Sequence, residues 1–222
     1  MFLFRNFELF ISETFYVLVI PFIFWCINKS MGKRLLILLL LTSYINILIN
    51  SFFSGDKVYM AIMTITVFWG YLGYLSKKNI NKITILILIA AICIGSNIFN
   101  NYSVAGILLS VVISVIIITL FVIFDPKIEN KYNNEFTILQ KIFLVVFASI
   151  TSLVVVIFLR LESYSETSAI IGGFTGGILG IILEKEFSNY SVDGILIHRI
   201  LRYLIGITIM AILFQALYYL VE

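Results

Sequence analysis

Residues 104–124 read VAGILLSVVISVIIITLFVIF and carry no charged side chain. An α-helix rises about 1.5 Å per residue, so this stretch reaches about 30 Å, the thickness of a bilayer's hydrocarbon core. Seven more apolar runs stand around it: Leu9–Ile27, Leu35–Phe53, Val58–Leu75, Ile83–Phe99, Leu139–Leu159, Ala169–Leu183 and Tyr203–Val221. The chain has 222 residues, 61% hydrophobic and only 12% charged. Soluble domains carry about 25% charged residues. Too few polar side chains exist to cover a water-facing surface, which excludes a soluble globular domain, a disordered tail and a nucleic-acid module. The composition predicts an all-α, polytopic transmembrane bundle of about eight spans, or seven with an interfacial first helix. No cleaved signal peptide is expected, and residues 1–222 read as a single integral membrane domain.

The basic residues set an expected orientation. Lys29, Lys33 and Arg34 follow the first run; Lys77, Lys78 and Lys82 follow the third. Lys127, Lys131 and Lys141 follow the fifth, and Lys185, Arg199 and Arg202 follow the seventh. Only Arg5, Lys57 and Arg160 fall on the opposite side. Lys and Arg mark cytoplasmic loops. The pattern predicts a multi-pass cell-membrane protein with both termini outside. Asp125-Pro126 reads as a helix stop opening the longest cytoplasmic loop, and His198 reads as part of the basic loop before the last span.

Cys26 and Cys93 lie inside apolar runs and offer neither a disulfide frame nor a zinc spacing. No metal or cofactor is expected. Gly172, Gly176 and Gly180 share one face of the seventh span, with Gly173 and Gly177 beside it. Small residues at this spacing let membrane helices approach closely, which predicts helix packing here, with a homodimer face as the alternative. Pro21 should kink the first span.

Several stretches resemble a known family. Phe24-Trp25-Cys26-Ile27-Asn28-Lys29-Ser30-Met31-Gly32-Lys33-Arg34-Leu35 is similar to a turn in bacterial members of the type 2 phosphatidic acid phosphatase family. Ser43-Tyr44-Ile45-Asn46-Ile47-Leu48-Ile49-Asn50 resembles the helix ending in their first motif. Val67-Phe68-Trp69-Gly70-Tyr71-Leu72 resembles the helix after their second, and Ser96-Asn97-Ile98-Phe99 the opening of their third. Asp125-Pro126-Lys127-Ile128-Glu129 and the stretch between the last two spans extend the likeness. The resemblance implies a phosphatase-like core over residues 1–125, with additional helices over 126–222.

That family removes phosphate from lipid phosphates and pyrophosphates, generally without a metal. It uses KxxxxxxRP, PSGH and SRxxxxxHxxxD. Lys and two Arg clamp the phosphate and neutralise developing charge. One His attacks phosphorus, an Asp orients it, and a second His protonates the leaving oxygen. Here Asn50 stands in the Lys slot, Ala61 in the slot of the acid His, and Asn97 in an Arg slot. Ungapped, Ser103 falls in the nucleophile slot and Ile107 in the Asp slot; with a gap, the nucleophile is deleted. The chain holds one His, His198, where the mechanism needs two.

No catalytic residue is therefore assigned. The expected function is a catalytically inactive, lipid-phosphatase-like membrane protein that binds a lipid or isoprenoid phosphate headgroup or a membrane partner. Its headgroup candidates, Asn50, Asp56, Lys57, Ser96, Asn97, Asn100 and Asn101, should line a shallow outer mouth. Expected partners are membrane lipids, another membrane protein or a second copy, and no nucleic acid. Residual lipid phosphate or pyrophosphate hydrolysis, and a small transporter or channel, are the alternatives.

Overall fold

The computed structural model describes residues 13–52, 57–158, 164–188 and 190–221. Each of the eight apolar runs is helical: α1 (Glu13–Phe22), α2 (Lys29–Phe52), α3 (Met60–Leu75), α4 (Asn79–Asn100), α5 (Val104–Glu135), α6 (Ile138–Phe158), α7 (Tyr164–Leu183) and α8 (Leu196–Val221). There is no strand among the described residues. Six helices are long and apolar enough to cross a membrane; the segments Phe15–Ile27 and Met60–Leu75 are apolar but shorter. The molecule wears its hydrophobic side chains outward: Leu86 is 66% exposed, Ile94 61% and Phe147 56%. Such a surface is stable against lipid tails and unstable against water.

Three boundaries differ from the sequence reading. The helix expected to stop at Asp125-Pro126 continues to Glu135 with Pro126 inside it. A proline removes one backbone hydrogen bond from a helix, and thirty-odd residues of otherwise regular pairing outweigh that loss. α8 starts at Leu196 instead of Tyr203, so His198, Arg199 and Arg202 sit on its first two turns and not in a loop. α7 runs on into a π-helical turn, Glu184–Ser188. In α1 the α-helical ladder gives way two residues after Pro21 to a second π-turn, Ile23–Ile27, closed by the Asn28 N–H donating to the Ile23 carbonyl at 2.9 Å.

The chain divides into two compact units, Met1–Leu36 with Ser188–Glu222, and Ile37–Phe187. In the smaller unit α8, last in sequence, packs on α1 and its π-turn. Trp25 lies so close to Gly206 of α8 that a Cβ there would overlap its ring. In the larger unit, α3 is the central helix: Ile62, Met63, Ile65, Val67 and Phe68 are almost fully buried. It packs chiefly on α5 and on α4, while α6 packs on α7. A smaller apolar cluster joins Ile47 of α2 to Val156 and Ile171.

On α7, a Cβ added at Gly172, Gly176 or Gly180 would meet nothing within 4 Å, and at Gly173 it would make ordinary contact with Leu40 of α2. Ile171 and Thr175 of the same helix turn toward α2 and α6. Gly106 is the opposite case: a Cβ would lie 2.5 Å from the Lys57 carbonyl oxygen and 2.6 Å from the Tyr59 ring. Gly106→Ala should therefore destabilise the protein by about 1–3 kcal/mol, the usual cost of overpacking, whereas Gly176→Ala should be neutral or slightly stabilising. Thermal unfolding of both variants in the same detergent checks the contrast.

Candidate functional site

Several polar side chains of the larger unit converge on one short segment. Thr42, Asn46 and Asn50 recur every four residues along α2; Gly106, Ser110 and Ser114 do the same along α5. Residues at this spacing share a helix face. Between the two rows runs the extended backbone of Val58 and Tyr59, just before α3. Extended backbone cannot satisfy its own hydrogen bonds, and inside an apolar bundle water does not replace them. Side chains do it instead.

Asn50 pairs with Val58 twice: its Oδ1 accepts from the Val58 N–H at 2.9 Å, and its Nδ2 donates to the Val58 carbonyl at 2.8 Å. Asn46 Nδ2 donates to the same carbonyl at 2.9 Å. From the other side, Ser110 Oγ accepts from the Tyr59 N–H at 2.8 Å while donating to the Gly106 carbonyl at 2.7 Å. Ser114 Oγ donates to the Ser110 carbonyl at 2.6 Å.

A second brace ties this segment to the turn between α4 and α5. The rings of Tyr59 and Tyr102 stack 3.8 Å apart and nearly parallel. The Tyr59 hydroxyl accepts from the Ser103 N–H at 2.9 Å. Asn97 Nδ2 donates to the Tyr102 carbonyl at 2.7 Å. Asn101 takes a left-handed conformation, φ 54°, and its N–H donates to the Ser96 carbonyl, ending α4. Asparagine tolerates this conformation better than other non-glycine residues, which explains its place there.

The headgroup candidates thus divide by use. Asn50 and Asn97 spend their amides on backbone groups. Ser96 is fully buried, and its hydroxyl has no hydrogen-bond partner among the described residues. Lys57, Asn100 and Asn101 have no side-chain hydrogen bond to a described residue, and Lys57 and Asn101 are exposed. Asp56 lies outside the described residues. Sequence reasoning missed Ser110, Ser114 and Tyr59. The four-residue recurrence of small polar residues in two neighbouring spans was the signal that could have found them.

The residues that the resemblance set in catalytic slots have structural surroundings. Ser103 caps α5, its Oγ accepting from the Gly106 N–H at 3.1 Å. Ile107 is a buried core residue. Ala61 lies in the first turn of α3. His198 belongs to α8, in the other compact unit.

Residues 168–222, the last quarter of the chain, match a family model described as PAP2 superfamily phosphatase, transmembrane extension. This segment is similar to the transmembrane extension of PAP2 superfamily phosphatases, which supports PAP2-family membership. Together with six helices long and apolar enough to cross a membrane, the match supports a multi-pass membrane protein. Within the structure the extension covers α7 from Ser168, the π-turn after it and α8. Neither a curated protein nor a solved structure matches the chain.

The Asn50 brace is open to direct test. Asn50→Ala strands the buried Val58 N–H and should cost about 1–3 kcal/mol, the desolvation penalty of an unpaired polar group. Asn50→Asp retains the acceptor but loses the donor and sets a carboxylate against a carbonyl, so it should be at least as destabilising. Urea or thermal unfolding of the two variants in detergent checks both the size and the order.

Proposed function

We propose that this PAP2-like protein does not transfer phosphate and acts by binding. The reading rests on one observation: the polar centre between α2, α3, α4 and α5 contains amides, hydroxyls and one lysine, with no imidazole among the described residues. Phosphoryl transfer by this family's chemistry needs one imidazole to attack and another to protonate the leaving oxygen. Ser103, in the nucleophile slot, is engaged as a helix cap. Loss of nucleophile, acid and arginine clamp together removes the catalytic constellation, and residues acting as a unit cannot be lost piecemeal without losing nearly all of the rate.

The bound group that fits the remaining rim is a lipid or isoprenoid phosphate headgroup. Lys57 supplies a cation at the edge of the stacked tyrosines, and Asn100 and Asn101 supply amide donors. A lone lysine binds phosphate as a point charge, more weakly than an arginine fork. A membrane protein docking on the same rim is the competing form of the same binding reading. With the positive-inside pattern, this rim faces away from the cytoplasm.

Purified chain incubated with prenyl pyrophosphate or phosphatidic acid should release no phosphate above the level of empty micelles; steady release would overturn the proposal. A lipid phosphate should co-purify with the chain. Lys57→Gln should weaken its retention about two- to fivefold, the worth of one exposed charge contact. Unchanged retention, with a second membrane protein surviving detergent extraction, would favour docking instead.

A further inference from the structure

The smaller compact unit contains a cationic site separate from the polar centre just described. Arg199 and Arg202 stand three residues apart on the first turns of α8, so they share a face. Arg199 Nε donates to the Gly194 carbonyl at 3.1 Å and Nη1 to the Cys26 carbonyl at 3.4 Å. Arg202 Nη1 donates to the Ser191 carbonyl at 3.2 Å, and its guanidinium lies 4.7 Å from the centre of the Tyr190 ring. Lys29 Nζ lies 4.9 Å from the same ring centre and donates to the Tyr190 carbonyl at 3.5 Å. Two positive charges, Lys29 and Arg202, are gathered on one tyrosine, and Arg199 stands one helical turn before Arg202.

Among the described residues, no carboxylate lies within ion-pair distance of either arginine. Both side chains are half-buried, and carbonyl oxygens hold them in place without neutralising them. A guanidinium carries five N–H donors. These contacts leave the Nη2 groups of both arginines available to an external anion.

The surroundings say which anion. Ile195, Leu196 and Ile197, which precede His198 and the two arginines, are 69%, 70% and 68% exposed. Trp25 and Tyr203 pack edge to face beside them, as does Phe24 with Tyr190. Tryptophan and tyrosine collect at the headgroup level of a bilayer. Cations beside bare aliphatic side chains, at the depth of an aromatic belt, match a molecule with a phosphate at one end and hydrocarbon at the other. A free phosphate has no use for the aliphatic part.

We propose that Arg199 and Arg202 form a headgroup site for an anionic phospholipid, with the phosphodiester bridging the two guanidinium groups and an acyl chain lying along Ile195–Ile197. The site is independent of the proposed headgroup rim at Lys57.

Full-length chain in mild detergent, titrated with phosphatidylglycerol or phosphatidylcholine and read by native mass spectrometry, tests it. Retention of phosphatidylglycerol should exceed that of phosphatidylcholine by about tenfold, the worth of one charge-assisted contact set. The double variant Arg199→Gln/Arg202→Gln should abolish the preference. Lys77→Gln/Lys78→Gln, which removes the same charge elsewhere, should keep it. Equal retention of both lipids by the unaltered chain overturns the proposal, as does a preference surviving in the folded arginine double variant. If inorganic phosphate displaces phosphatidylglycerol at matched concentration, the site is a free-anion site and the lipid assignment fails. Should the double variant not fold, the comparison of the two lipids on the unaltered chain decides alone.

Discussion

The larger unit depends on how a stretch of extended backbone is kept satisfied where water is absent. Val58 presents an N–H and a carbonyl, and Tyr59 an N–H, that no helix pairs, while the Tyr59 carbonyl accepts from the Met63 N–H of α3 at 3.0 Å. In hydrocarbon each orphaned group costs several kcal/mol. Asn50 answers both groups of Val58 at once, as a neighbouring strand would, and Ser110 answers Tyr59. Because α2 supplies one partner and α5 the other, the same bonds that satisfy the segment also fix both helices around α3. The closeness of Gly106 to Lys57 and Tyr59 is a product of this demand: α5 must come near enough for a serine hydroxyl to reach a backbone amide.

This arrangement bears on chemistry. A reaction centre for phosphoryl transfer holds its polar groups toward the substrate, pre-oriented and unspent. Here the polar groups between α2 and α5 are largely turned inward, onto the chain itself. The Tyr59–Tyr102 stack and the Asn97 bond to Tyr102 extend the same inward commitment to the turn before α5. The region acts as a joint between helices.

Much of the fold was legible because hydrophobic length is a strong signal. Residues 104–124 could only be a span, and each apolar run is a helix. The ends were less legible. Asp125-Pro126 looked like a stop because proline and an acidic residue punctuate helices in general, yet a long helix survives the loss of one bond. Arg199 and Arg202 looked like loop charges, while amphipathic early turns place them on α8. At the site, residue type was readable and direction was not. Asn50 and Asn97 have the chemistry of a headgroup ligand, but an amide serves a lipid phosphate and a backbone carbonyl equally well, and only the position of Val58 or Tyr102 decides between them. The glycines on α7 had the right spacing for a helix contact, and spacing alone could not say that three of them face open space.

The length of α5 has a mechanical implication. Its 32 residues reach about 48 Å, well over the hydrocarbon thickness of about 30 Å. All of the charged residues of the helix lie in its last part, from Asp125 to Glu135, on the same rod whose far end grips Tyr59. Pro126 stands where the apolar part meets the charged part and lacks a backbone N–H, so bending forces on the charged end concentrate there before they reach the buried serines.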